Sequence, residues 1–265
     1  MKRVLPSMLT LIAVASCTGT TGGGTIDFSA AAAGPADATG GALAFTTNTG
    51  WAVTLTKATI HLGAVYLDQS VPTSGAGNTL CILPGTYVGE VTNGLDVDLL
   101  SPTPQPFPAM GHGTTGPAAA AQVWLTGGDI NAIDDPTPIL ILEGTATLAS
   151  DVRPFSAVVT IGQNRSTPSD TPGGDPPCRH RIALVDMHAK PLEVSSPGGL
   201  LVRIDPRQLF PSVDFSRLTV TTTVATPDGG TTTSYSFQDN ANDLPSSNLF
   251  SNLGTETVYS FAWVP

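Results

Sequence analysis

Apolar and polar residues alternate with a period of two along most of this chain, the spacing of strands with one face buried. Ile26 and Phe28 start the pattern, and Leu43 and Phe45 repeat it ahead of an Asn48-Thr49-Gly50 turn. Trp51, Val53 and Leu55 then point one way while Thr54 and Thr56 point the other. With Ile60, Leu62 and Val65 to Leu67 they predict the strongest strand pair in the chain. Leu83 to Val88 reads as a turn feeding a strand, and Val91, Val97 and Leu99 mark further extended segments. Ile139 to Leu148 and Phe155 to Ile161 are predicted strands joined through Asp151 to Pro154. Arg181 to Val185, Leu200 to Ile204, Leu218 to Ala225, Thr232 to Phe237 and Thr257 to Val264 complete the set.

Between the strands lie long turn-forming stretches. Four prolines fall between Pro102 and Pro108, which predicts an exposed connection, and Ser166 to Pro177 is a second loop of turn formers. The alanines of Ala118 to Thr126 suit a helix, but Val123-Trp124-Leu125 between glycine-rich flanks favours a strand. Helix is expected in two places only: one turn over Asp205 to Phe210, and a short helix capped by Asn242 or Asp243, running to Leu253 and closed by Gly254. Many short strands with almost no helix predict an all-β fold, a β-sandwich with long loops and at most one or two short helices, over residues 25–265.

The first residues break the pattern. Lys2 and Arg3 precede an apolar stretch from Val4 to Val14, and small residues lead to Cys17. This is the layout of a cleavable secretory signal over residues 1–16, and the apolar run is shorter than the ~20 residues that cross a bilayer. Val14-Ala15-Ser16-Cys17 resembles the bacterial lipobox, which implies a lipid such as palmitate on Cys17 and a membrane anchor through it. Thr18, where an aspartate would resemble an inner-membrane retention signal, implies an outer-membrane destination, periplasmic or surface-exposed, and residues 17–24 read as a glycine-rich tether. With Cys17 acylated, Cys81 and Cys178 remain as a pair, expected to form a disulfide in an oxidising compartment; two separately buried thiols are the other reading.

Composition narrows the function. Without Lys2 and Arg3 the chain has 9 basic against 21 acidic residues, a formal charge of −12. Nucleic acid is excluded as a partner, because it is bound through clustered Lys and Arg. Gly111-His112-Gly113-Thr114-Thr115-Gly116 matches a dinucleotide fingerprint by letter, but a proline-rich segment precedes it and no βαβ pattern surrounds it. Asp129, Asn131, Asp134 and Asp135 gather hard oxygen ligands suited to calcium, yet Ile133 takes a ligand position and a plain acidic turn fits as well. Among four histidines, His112, with His180, is the candidate for a transition metal such as copper. His61 at the end of an apolar strand reads as a packed or edge residue. No Gly-x-Ser-x-Gly elbow, P-loop or Ser-x-x-Lys motif is present, so no catalytic residue is assigned and no enzyme is expected.

Several segments together carry a resemblance. Ile26-Asp27-Phe28, Gly50-Trp51 through Leu67, Pro84 to Tyr87, Leu142 to Ala146, Thr160 to Arg165 and Arg203 to Arg207 resemble outer-membrane lipoproteins of predatory, social soil bacteria, the myxobacteria. In order and spacing they are also similar to the MbnP-like β-sandwich proteins of the envelope, some linked to copper handling. That group's Met-x-Trp-x-Trp segment is missing, and only Met110 and Trp124 lie in the comparable stretch. The resemblance implies a lipid-anchored envelope protein with a non-enzymatic binding or structural role toward an envelope protein or ligand. Metal binding, to copper or calcium, or small-ligand binding is the alternative.

Overall fold

The alternation that begins at Val53 slips by one residue halfway along its strand. Val53 and Leu55 are buried, and burial then resumes at Ala58, Ile60 and Leu62. The extra residue is a β-bulge, located where the facing strand steps from Glu143 to Gly144. Backbone closes on Gly144 there: a Cβ at this position would lie 2.4 Å from Thr54 O. Gly144→Ala is therefore expected to cost about 1–3 kcal/mol, by forcing backbone shifts in a packed sheet. Urea denaturation reads this as a lower midpoint at unchanged slope.

The computed structural model describes residues 23–72, 86–128, 130, 135–161, 181–225 and 230–265. Its strands run β1 Thr25–Ala33, β2 Leu43–Thr46, β3 Ala52–Leu62, β4 Ala64–Asp68, β5 Tyr87–Val91, β6 Leu95–Asp98, β7 Gln105–Pro106, β8 Gly111–Thr114 and β9 Gly116–Ala118. They continue as β10 Ala120–Trp124, β11 Leu140–Leu148, β12 Asp151–Val159, β13 Ile182–Asp186, β14 Leu192–Val194, β15 Gly199–Ile204, β16 Thr219–Ala225, β17 Thr231–Ser236 and β18 Tyr259–Val264. One sheet has the order β13-β10-β4-β5-β8-β1-β15-β18, with β7 also on β1. A second has the order β16-β17-β12-β11-β3-β2, with β6 also on β3, and β14 pairs with β9 in a two-stranded sheet. Buried side chains from both, Phe28, Leu67 and Val123 from the first and Leu55, Ile60 and Leu142 from the second, form one hydrophobic cluster. The fold is all-β and sandwich-like, as the alternation predicts.

Three details depart from the sequence expectation. The strongest apolar stretch is not a pair: β3 and β4 lie in different sheets, and Gly63 carries the chain between them with its N–H donating to Trp124 O. Asp151 to Pro154 are not the hairpin connection but the start of β12, the turn falling at Ala149, whose φ is 53°. Pro154 is tolerated because β17 pairs with β12 only from Phe155 onward, so no ladder partner waits for the missing N–H. The proline-rich segment is not wholly an exposed connection either, since Gln105 and Pro106 pair with β1 and Phe107 is buried. The glycine fingerprint around His112 lies on β8 and β9, so the helix a dinucleotide needs is absent there.

The one α-helix among the described residues, α1 Leu244–Leu253, begins and ends where its caps foretell. Asp243 accepts a hydrogen bond from Ser246 N at 3.1 Å, and Gly254 closes the other end. Asp205 similarly caps the short 3₁₀ turn Pro206–Leu209. Arg207 pairs there with Asp205 at 2.8 Å and with Asp37 at 2.7 Å, tying the loop after β1 to that turn, and its hydrogen bonds hold the Asp37 carboxyl below its ordinary range. Among the described residues no helix is long and apolar enough to cross a membrane. Residues 1–22, including Cys17, and Cys81 and Cys178 lie outside the described residues.

Candidate functional site

On β4, Val65 and Leu67 turn inward to the core, which leaves Ala64, Tyr66 and Asp68 on the opposite face of the sheet. β10 repeats this: Val123 joins the core while Gln122 and Trp124 share the face of Tyr66. Register across five strands places Asp27, His112, Glu90, Tyr66 and Gln122 side by side in one row. Tyr66 stands in it between Glu90 and Gln122. Its ring contacts Tyr87 at a centroid distance of 5.2 Å and Trp124 at 4.9 Å, both tilted by about 50°.

A hydrogen-bonded chain fixes this aromatic group from beneath. Trp124 Nε1 donates to Gln122 Oε1 at 3.1 Å, and Gln122 Nε2 donates to Asp68 Oδ2 at 2.9 Å. Gln122 and Asp68 are fully buried, and Asp68 Oδ1 has no hydrogen-bond partner among the described residues. Burial pushes the Asp68 carboxyl up to about 6, with the Gln122 hydrogen bond pulling against it. Burial also raises the Tyr66 hydroxyl, and the charge of Glu90 adds to this, so the phenol stays a protonated donor.

Beside Tyr66 and Trp124 opens a cleft of about 630 Å³, whose lining includes His61, Thr92, Gly94 and Thr126. Among the described residues no Lys or Arg lines it. His61 Nδ1 and Asp96 Oδ1 are 2.6 Å apart, the carboxylate accepting from the ring and setting its orientation. A Cβ at Gly94 would lie 3.0 Å from His61 Nε2, so the glycine leaves room for that edge of the imidazole. A second hollow of about 300 Å³ lies on the other side of Tyr66, lined by Tyr87, Glu90 and His112 among others.

The residues singled out by sequence are placed unequally. His112 is exposed on β8 and its Nδ1 lies 2.7 Å from Asp27 Oδ1. Asp135 accepts from Thr137 N at 3.0 Å. Burial pushes its carboxyl up, but the Thr137 hydrogen bonds and the charge of Arg181 outweigh this and leave it below its ordinary range. Arg181 is itself buried and donates to Ile130 O at 3.0 Å, which places a cation of the protein's own at Ile130. His180, Asp129, Asn131 and Asp134 lie outside the described residues. Among the described residues no three or more His, Cys, Asp or Glu side chains are grouped to hold a metal ion.

Sequence reasoning missed the cleft. His61 and Asp96 are 35 residues apart and meet only because β6 pairs with β3, while Tyr66 and Trp124 look like core residues until their register is known. The one available signal is that Tyr66 and Trp124 each stand between inward-facing apolar neighbours on their own strands, which puts them on the other face.

No protein-family model matches the chain, and no curated protein does. Among solved structures it is similar to MbnP from Methylosinus trichosporium, with 11% identity and a TM-score of 0.43, the match covering 91% of this chain and 99% of that chain. No residue role is carried across this similarity.

Proposed function

We propose that this chain is a lipid-anchored protein of the bacterial cell envelope with a non-enzymatic binding role, and that its ligand enters the cleft beside Trp124. The observation that carries the binding role is that cleft: Trp124, held by hydrogen bonds through Gln122 to Asp68, and Tyr66 packed against it, next to an oriented imidazole. Recognition sites combine apolar walls with a few placed polar groups in this way. The non-enzymatic part of the reading rests on the sequence alone, which carries no Gly-x-Ser-x-Gly elbow, P-loop or Ser-x-x-Lys motif. Anchoring at Cys17 rests on Val14 to Cys17, and the outer-membrane destination on Thr18. The partner is a ligand or another envelope protein, not nucleic acid.

Nitrogen-15 spectra of the tryptophan indoles test the cleft directly. The chain has three tryptophans, and Trp124→Phe identifies the indole concerned. Addition of a neutral small-molecule fragment library is expected to shift the Trp124 indole while the buried Trp51 indole stays in place. A library that leaves Trp124 unmoved contradicts the reading.

A further inference from the structure

We propose that the ligand is a neutral pyranose glycan that lies along Tyr87, Tyr66 and Trp124, spanning both hollows. This rests on the reading that the Trp124 cleft is a ligand site. Three features select the chemistry. The rings form a continuous strip, with successive centroids 5.2 and 4.9 Å apart, the order of spacing at which sugar rings follow one another in an extended chain. Sugar rings present an apolar C–H face to such a strip and hydroxyls at their edges.

The carboxylates near the hollows are acceptors. Glu90 lines the second hollow beside Tyr66 in register, while Asp96 and Asp27 hold the lining histidines His61 and His112 and give the surroundings negative charge. A ligand there must bring many hydrogen-bond donors. It is not expected to bring negative charge, because among the described residues no Lys or Arg lines either hollow to receive it. A cationic amine would satisfy the charge, but these rings touch one another in a row and do not face each other across a gap, so they do not enclose a cation.

The two hollows set the length. One begins at Trp124 and Tyr66 and the other at Tyr87, Glu90 and His112, with the Tyr66 to Tyr87 contact joining them. A disaccharide reaches one hollow, and a longer chain reaches both. His112 thereby gains a role as a polar contact for the far end of the glycan.

The test is calorimetric titration of the purified protein with cellohexaose and chitohexaose and with their disaccharides, read beside the Trp124 indole shift. At least one hexasaccharide is expected to bind about tenfold or more tightly than its disaccharide. Tyr87→Ala, which changes a side chain that is 39% exposed, is expected to remove that advantage and leave disaccharide binding as it was. Trp124→Ala is expected to weaken both by about tenfold or more, and Trp124→Phe, which keeps a ring and the fold, to weaken them less. Equal binding of short and long chains, or a Tyr87→Ala variant that binds the hexasaccharide like the wild type, overturns the extended site. If no glycan binds while fragments still shift Trp124, the glycan is wrong and the cleft stands. If neither acts, both fall.

Discussion

Phe215→Ala is expected to lower the free energy of unfolding by about 3–5 kcal/mol, the range for removing a buried aromatic side chain whose surroundings cannot collapse. Phe215 is fully buried and touches four other rings: Trp51 at 5.5 Å, Phe155 at 5.1 Å, Phe210 at 5.8 Å and Phe237 at 6.0 Å between centroids. These come from separate parts of the chain, so they cannot all close on the space. Phe155 is held in β12 between β11 and β17, and Trp51 lies next to β3. Arg153 also fixes the rim, paired with Asp151 at 2.9 Å and donating to Phe215 O and Ser216 O. Those are backbone acceptors and survive the substitution. Urea denaturation followed by tryptophan fluorescence measures the loss, and a change below about 1 kcal/mol would mean that the cluster repacks freely.

Asp68→Asn should do the opposite, and its effect should depend on pH. In the unfolded chain the carboxyl titrates near its ordinary value of 3.8, and burial raises it to about 6 in the folded protein. Between those values the folded state holds the proton more tightly, so Asp68 favours folding most at low pH and this contribution is lost as pH rises through about 6. The gap corresponds to about 3 kcal/mol. Asparagine keeps the acceptor that Gln122 Nε2 needs and carries no charge at any pH. The variant is therefore expected to be about 3 kcal/mol more stable than the wild type at pH 7.5 and to lose that advantage by pH 4. Parallel denaturant curves at the two pH values measure it. An advantage that is the same at both, or none at pH 7.5, would mean that burial does not raise the Asp68 carboxyl in the folded protein.

Much of the architecture is legible in the chain because the sheets have a buried face and a solvent face. The shift from odd to even apolar positions between Leu55 and Ala58 even encodes the bulge in β3. Asp243 and Gly254 bracket α1 because a helix end needs those residue types. Sheet membership is less legible. β3 and β4 look continuous in hydrophobic pattern, and only the turn at Gly63 decides that they serve opposite sheets. Trp124 and Gln122 illustrate the limit for the site: period two puts them on one face, but not beside Tyr66 and Asp68, since that neighbour is chosen by pairing between strands far apart in sequence. His112 was visible as a lone histidine among glycines. Its companions Asp27 and Glu90, from two other strands, were not.

Cys17 tests the account most directly, because the envelope role of the whole domain rests on its acylation. The full chain and a Cys17→Ser variant are produced in a Gram-negative host fed an alkyne-bearing palmitate, and the membrane fraction is analysed by fluorescence tagging and intact mass. The account predicts a labelled wild-type protein in the membrane fraction whose first residue is a lipid-modified Cys17, and no label on Cys17→Ser. A wild-type protein that carries no label, with cleavage elsewhere or an unmodified Cys17, would contradict it.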